Sequence, residues 1–327
     1  MTVNSVLRSM AASARRAERE SLRRQREYQR HLNQEAKYQA IEEAALEVEE
    51  YENRILLLKS MHQDCSEIWN WEKIKESNPP RKPLKKSENE TIATNKLNNF
   101  KPSFFDKLFN KVELKKSSLE EEIIGAKQKD EKEYQNEIEK YNIAFTEWTE
   151  IRDLATKILD GDLTAFKDAI EQVEPFSEIK EIGSSVEFNI INPKEIDITL
   201  SVNSSETIPS EEKTQLKSGK LSVKQMPKGK FYELYQDYVC SCILRVARET
   251  FALLPIEKVY ITAVAELLNS KTGYIENQPI LSVLIPKLTL NKLNLCMIDP
   301  SDSMKNFVNN MNFKKTTGFD VVERLQY

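Results

Sequence analysis

The sequence predicts an α+β protein in which a long N-terminal helical hairpin or coiled-coil arm is followed by a compact α+β domain. We expect that domain to hold an antiparallel or mixed sheet and a central buried helix. Three observations predict this fold class. Glycine and proline are both absent before Pro79, apolar residues recur at helical spacing through two charge-rich stretches, and β-branched runs bounded by turn residues begin only at Val186.

The composition suits two domains, an arm at residues 1–154 and an α+β domain at residues 155–327. A chain of 327 residues is long enough for two domains. Charged residues make up 31% of the chain and hydrophobic residues 39%, a balance that suits extended solvated helices joined to one ordinary core. The arm should therefore be thin, with the main core in the C-terminal domain.

Charge, cysteine content and hydropathy narrow the class of protein. The net charge of −4 gives no global attraction to nucleic acid or anionic lipid, so any such binding must be local. The four cysteines have neither metal-ligand spacing nor a disulfide framework. No apolar signal sequence opens the chain, and no run of about 18 apolar residues occurs. We expect a cytoplasmic protein with no transmembrane segment and no cofactor.

The first arm helix is predicted over Val6–Met61, because apolar residues recur there at helical spacing and nothing forces the helix to end. Its charge is divided along its length. Arg8–Lys37 carries nine basic and four acidic residues, a net of +5, whereas Glu42–Glu52 carries six acidic and no basic residues. These blocks could pair in antiparallel register with another copy, or the basic end could bind phosphate while the acidic part packs on the protein. A solvated helix with no partner is the simpler alternative.

A connector is predicted at about residues 77–102, where Pro79, Pro80 and Pro83 stand in a Lys-, Ser- and Asn-rich stretch. Beyond it, apolar residues keep a rhythm of three to four from Leu108 to Trp148. This pattern predicts a second long helix. We expect it to fold back on the first, because two such helices bury apolar stripes that neither could bury alone.

The residue pattern changes at Gly161, where the helical spacing of apolar residues ends. A short helix is predicted after it, at residues 163–173. Two β-branched runs then follow, at residues 186–191 and 196–202. The turn sequence Asn192-Pro193-Lys194-Glu195 separates them, so the two runs predict a hairpin.

The central helix is predicted at residues 231–254, where apolar residues fall at helical spacing and Pro255 ends the pattern. A short strand at residues 221–224 is expected before it. Two further strands, at residues 259–267 and 280–285, are expected on either side of a turn at Lys271-Thr272-Gly273.

A last helix is predicted from Ser301 to about Met311. Asp299 can accept amide hydrogen bonds at its start, and Pro300 suits the first turn.

Two basic segments are candidates for nucleic-acid binding. Flexible cations beside aromatic rings can hold a phosphate backbone and stack bases, and Phe231 and Tyr232 follow the lysine-rich loop. A solvated loop is the simpler interpretation of that loop. The candidate residues are Arg15, Arg16, Arg19, Arg23, Arg24 and Arg26 in the arm, with Lys217, Lys220, Lys224, Lys228 and Lys230 in the loop.

The sequence gives little support for a phosphate-binding loop, a zinc site, a serine hydrolase or a nuclease. Lys217-Ser218-Gly219-Lys220 lacks the upstream glycine of a phosphate-binding loop, and the two histidines have no partners spaced for zinc or for a serine hydrolase. Asp197 and Glu266 could face one magnesium ion in a divergent nuclease. Leu268 stands, however, where a lysine would be needed to neutralise the developing charge.

A set of short blocks carries a resemblance to a known family. These blocks are Ile208-Pro209-Ser210, Lys228, Phe231-Tyr232-Glu233-Leu234-Tyr235, Leu244-Arg245, Phe251, Thr272-Gly273, Leu281-Ser282-Val283 and Asp299-Pro300. Together they resemble the region that precedes the nuclease domain in bacterial Mrr-type restriction endonuclease family proteins, over residues 155–315. The resemblance implies a non-catalytic targeting or regulatory module linked to defence against foreign DNA, since no nuclease domain follows within the 327 residues.

The expected function is therefore a non-enzymatic interaction or sensor protein, and the resemblance implies a component of a bacterial antiphage or foreign-DNA defence system. We expect it to form a homo-oligomer or to dock a protein partner through the arm. A nucleic-acid-binding protein, with DNA or RNA as the partner, is the first alternative. A divergent metal-dependent nuclease is the second.

Overall fold

The structure is a computed structural model that describes residues 3–104, 108–181, 184–202 and 207–326, with side chains of residues 3–23, 26 and 181 left aside. The chain forms two compact units. One, the sheet unit, comprises Met1–Ile68 and Val173–Tyr327, and the other, the helical unit, comprises Trp69–Gln172. This division differs from the expected boundary at residue 154, because the first arm helix has its contacts in the sheet unit.

The elements follow one another as α-helices first and a sheet with interspersed helices second. The helices are α1 (Val3–Ser60), α2 (Trp71–Lys75), α3 (Glu88–Asn98), α4 (Val112–Leu159), α5 (Leu163–Val173), α6 (Ser177–Glu181), α7 (Lys228–Leu253), α8 (Lys287–Leu290) and α9 (Pro300–Ser303), with 3-10 turns at Met61–Gln63 and Met304–Asn306. The strands are β1 (Ser185–Asn192), β2 (Glu195–Ser201), β3 (Glu211–Gln215), β4 (Leu221–Gln225), β5 (Lys258–Leu268), β6 (Ile275–Pro286), β7 (Val308–Met311), β8 (Phe313–Lys314) and β9 (Gly318–Phe319).

The main sheet has five strands in the order β1-β2-β5-β6-β7. Only β2 and β5 run parallel; the other neighbours are antiparallel. The predicted α+β class with a mixed sheet is thus confirmed. The predicted hairpin about residues 192–195 joins β1 to β2, and the turn at Gly273, with φ of +78°, joins β5 to β6.

Helix α7 is the buried centre of the sheet unit, as the sequence predicts. Val239, Cys240, Ile243 and Leu244 are all fully buried, and the helix packs on β5. Burying side chains of this size contributes about 1.5 to 3 kcal/mol each. The helix ends at Leu253 because the chain becomes extended at the next residue, before a proline.

The second side of α7 holds the chain where α1 ends. Arg248 donates through Nη1 to the carbonyl oxygens of His62, Gln63 and Asp64, at 2.6, 2.8 and 3.0 Å. Glu249, buried to 1% exposure, accepts from the backbone N–H of Ser66 at 3.0 Å. α1 therefore ends at Ser60 through tertiary contacts, well before the first proline of the chain.

Two expected elements need correction. The last helix is wrong beyond residue 306: Val308–Met311 is a strand, because it pairs with Leu281–Leu284 at the edge of the sheet. Only Pro300–Ser303 is α-helical, with Asp299 accepting from the N–H of Asp302 at 2.9 Å as predicted.

The connector expected at residues 77–102 is only partly irregular. It contains helix α3, which packs on α4 together with α2. The long helix α4 ends where Gly161 adopts a φ of +79°. In the helical unit, therefore, short helices cover part of the stripe that the apolar rhythm of α4 predicts.

An aspartate of α4 caps α3 from outside that helix. Asp130, 4% exposed, accepts from the backbone N–H groups of Asn89 and Glu90 at 3.1 and 2.8 Å, and from the Asn89 side-chain amide. These first-turn N–H groups have no partner within their own helix. Hydrogen bonds, led by that from the Glu90 N–H, lower the pKa of Asp130, so the carboxylate stays charged and attracts the helix N-terminus.

We expect Asp130→Ala to lower the melting temperature of the chain by several degrees, followed by helical circular dichroism, because it leaves the first turn of α3 without its acceptor. Asp153→Ala is the matched control, since Asp153 is an exposed aspartate on the same helix. Equal melting temperatures for the two variants would contradict the capping role.

Candidate interaction surfaces and cleft

The first part of α1 has an apolar stripe with no cover. Every side chain described between Arg24 and Ala40 is exposed, including Tyr28 at 67% and Leu32 at 39%. Tyr28, Leu32, Ala36 and Ala40 are four residues apart, so they lie along one side of the helix. The same stripe continues into Ala44, which is buried.

The acidic part of α1 packs on the β3–β4 hairpin. Lys213 pairs with Glu47 at 2.9 Å, and the amide of Gln215 donates to the carbonyl oxygen of Ile41 at 2.9 Å. Gly219, with φ of +81°, lies against the Ile41 side chain, where an added Cβ would come within 2.6 Å of it. One of the two arrangements expected for the acidic block, packing on the protein itself, is thus present.

The lysine-rich loop forms this hairpin and the start of α7: Lys217, Lys220 and Lys224 lie on the hairpin, whereas Lys228 and Lys230 lie in the first turn of α7. Carboxylates neutralise part of its charge. Lys217, Lys220, Lys224, Lys228 and Lys230 are all exposed. Lys230 pairs with Glu212 at 2.8 Å, and this hydrogen bond raises the pKa of Lys230. Lys224 stands opposite Glu212 in the β3–β4 register. Of the predicted lysines, Lys217 and Lys220 at the turn thus lie farthest from this carboxylate along the hairpin.

The predicted arginines are only partly described. Arg24 is exposed on α1. The side chains of Arg15, Arg16, Arg19, Arg23 and Arg26 lie outside the described residues.

The structure does not bring the candidate nuclease acids together. Asp197 stands level with Tyr260 of β5, and Glu266 lies six residues further along β5, which is about 20 Å at the rise of a strand. One magnesium ion cannot bridge that distance. Burial raises the pKa of Asp197, and Arg324 opposes the change.

A cleft of about 760 Å³ opens at the end of the sheet where the parallel strands β2 and β5 finish. Strands β1, β2, β5 and β6 form one side of it, and the first turns of α7 with the β8–β9 hairpin form the other. Its polar lining comprises Ser184, Ser185, Glu187, Ser201, Glu266, Asn277 and Thr317, and its aromatic lining comprises Phe231, Tyr232, Tyr235 and Phe319.

The aromatic side of the cleft is tightly built. The rings of Phe231 and Tyr232 meet edge to face with centroids 5.5 Å apart, and those of Tyr235 and Phe319 do so at 5.4 Å. Gly318 has a φ of +84° and lies so close to the Tyr232 ring that a Cβ would stand 2.8 Å from it. Glycine is therefore required for the hairpin to approach this ring.

Sequence reasoning missed a buried histidine contact because the two residues are far apart in the chain. The N–H of His62 donates to Oγ of Ser241 at 3.0 Å, and Nδ1 of His62 lies 2.9 Å from the same oxygen. Ser241 is fully buried, so the pair fixes the end of α1 on α7. Burial lowers the pKa of His62, the Leu295 carbonyl partly opposes this, and Arg248 lowers it further.

Known proteins add no further assignment. No protein-family model matches the chain, and neither a curated protein nor a solved structure matches it. Among the described residues, none of the helices has the length and apolar character needed to cross a membrane, and no group of three or more His, Cys, Asp or Glu residues could hold a metal ion.

We expect mild acid to destabilise the protein through His62. Its pKa is below 6.5 in the folded chain and near 6.5 when unfolded, so the unfolded state binds more protons between these values. The free energy of unfolding therefore falls as the pH drops below about 6.5. The urea midpoint at pH 7.5 and 5.5 measures this change, which should shrink in His62→Gln.

His31→Gln is the control, because His31 is the other histidine of the chain and is exposed. A change with pH as large in His62→Gln as in the unsubstituted protein would contradict the assignment.

Proposed function

We propose that this chain is a non-enzymatic interaction protein that assembles with a second copy through the first half of α1. The observation that carries the proposal is the uncovered stripe at Tyr28, Leu32, Ala36 and Ala40. A single helix in water gains little from such a stripe unless another element covers it. The i+4 line of the stripe winds slowly around α1 and reaches Ala44, which is buried.

The charge pattern favours an antiparallel second copy as the occupant. A two-fold axis near residue 34 places Tyr28 opposite Ala40 and Leu32 opposite Ala36 of the other copy, and brings residues 42–52 alongside residues 16–26. Each basic block then faces an acidic block, which stabilises this register against the parallel one. Leu46, 56% exposed within the acidic block, gives the second copy an apolar contact there as well.

Defence against foreign DNA is the biological setting that we propose for this assembly. It rests on the resemblance of residues 155–315 to the region preceding the Mrr-type nuclease domain. The assembly proposal stands independently of that setting.

Leu32→Lys should convert a dimer of the full chain to a monomer in size-exclusion chromatography with light scattering. A charge in the middle of the stripe opposes burial and should weaken association by about tenfold or more. Gln34→Lys is the matched control, because it adds the same charge on the opposite side of α1. High salt should also weaken the dimer, since its register depends on opposite charges.

A monomeric unsubstituted chain at high protein concentration would refute assembly through α1. A dimer that Leu32→Lys and Gln34→Lys affect equally would refute the stripe as its contact.

A nucleic-acid-binding function is the second candidate, and one contact favours it. Gly219 packs against Ile41, so the turn that carries Lys217 and Lys220 lies next to the end of the basic segment of α1, at Lys37. The turn thus lies one helical turn from Lys37, and the candidate arginines begin at Arg26, about 22 Å from Ile41 along the helix. Phosphate contacts by exposed lysines would give binding that falls steeply with salt.

Replacing Lys217 and Lys220 together with glutamate should weaken DNA or RNA binding and lower the salt dependence by about two charges. Lys271→Glu, at the exposed β5–β6 turn, is the control. If neither duplex nor single-stranded DNA, nor RNA, is retarded in a gel at about 50 mM salt, this second candidate fails.

A further inference from the structure

We infer that the cleft at the end of the sheet binds an organic cation, a primary ammonium or guanidinium group on an apolar stem. The inference goes beyond assembly through α1 and concerns a different part of the sheet unit. A volume of about 760 Å³ lies within the range of small-molecule sites.

The charge of the ligand follows from the charged residues that line the cleft. Glu187 and Glu266 are exposed to the cleft, and neither forms an ion pair with any residue that the structure describes. Arg324 comes near on one side, where its Nη1 donates to Oγ1 of Thr199 at 3.1 Å; Thr199 is opposite Glu187 in the sheet. No lysine or arginine is among the described residues of the lining. A cation is therefore attracted and an anion repelled.

The opposite side of the cleft supplies the second recognition element. Aromatic faces attract ammonium and guanidinium groups and also cover an apolar stem. Gly318 holds the β8–β9 hairpin against Tyr232, and the edge-to-face pairing of Tyr235 with Phe319 fixes the neighbouring rings. The carboxylates and the rings line the same cleft, so a ligand can place its cation at a carboxylate and its apolar stem on a ring.

Hydroxyl groups complete the set of acceptors. Ser185 and Ser201, which pair across β1 and β2, and Thr317 of the β8–β9 hairpin line the same cleft. A primary ammonium has three donors and a guanidinium five. Such a head group can therefore bind a carboxylate and several hydroxyl oxygens together, which a quaternary ammonium cannot.

Isothermal titration calorimetry of the full chain at about 50 mM salt tests the site with three probes. Spermidine represents a free amine, a short lysine- and arginine-containing peptide represents a side chain, and the same peptide with norleucine at those positions is the neutral control. Binding of either cationic probe, with little binding of the neutral peptide, is the expected result. The stronger of the two cationic probes identifies the source of the ligand.

Glu187→Gln and Glu266→Gln should each weaken binding by about tenfold, through loss of one charge beside the ligand. Tyr232→Leu should weaken it similarly by removing a ring, and Gly318→Ala by displacing that ring. Glu323→Gln is the control, because Glu323 is an exposed glutamate of the same unit outside the lining. Leu32→Lys should bind normally, which separates this site from assembly through α1.

Equal binding of the neutral and the lysine- and arginine-containing peptides would overturn the inference. So would an affinity that Glu323→Gln reduces as much as Glu266→Gln does, or the absence of heat from both cationic probes at about 10 mM.

Discussion

The burial of α7 on two sides is the constraint on which the sheet unit depends. The main sheet covers one side, and the chain after α1 covers the other. A buried charge is tolerated only with a partner. Glu249 therefore needs both the Nε of Arg245, at 2.7 Å, and the N–H of Ser66. Because these contacts fix residues 61–66, they also fix the end of α1.

The same helix links the two surfaces to which we assign a function. Tyr232 and Tyr235, in the first turns of α7, line the cleft, whereas Arg248 and Glu249 hold the end of α1. Seventeen residues separate Tyr232 from Glu249, which is about 25 Å along a helix. Ligand binding in the cleft and assembly through α1 would thus act on opposite ends of one rigid element. A coupling between them would have to pass through α7.

Local patterns predicted the elements whose own segment carries the pattern of the structure. The helical spacing of apolar residues in α7 and the turn residues Asn192-Pro193 each belong to a single segment, so the sequence shows them directly. Elements that depend on distant partners could not be predicted in this way. Val308–Met311 continues an apolar pattern after a helix cap and becomes a strand only because β6 offers an edge. Similarly, α3 lies in a proline- and lysine-rich stretch and takes its cap from Asp130, 40 residues away.

The candidate site also depends on residues that are distant in the sequence. It gives Phe231 and Tyr232 a role different from the one that the sequence suggested. Phe231 and Tyr232 follow the lysine loop, so the sequence suggests that they stack bases beside lysine-bound phosphates. In the fold they line a cleft together with Glu187 and Glu266. These carboxylates come from β1 and β5, and no spacing in the sequence connects them to α7. Two carboxylates repel a phosphate backbone, so the cleft with its aromatic rings is suited to a cation. The exposed lysines of the hairpin are suited to an anion.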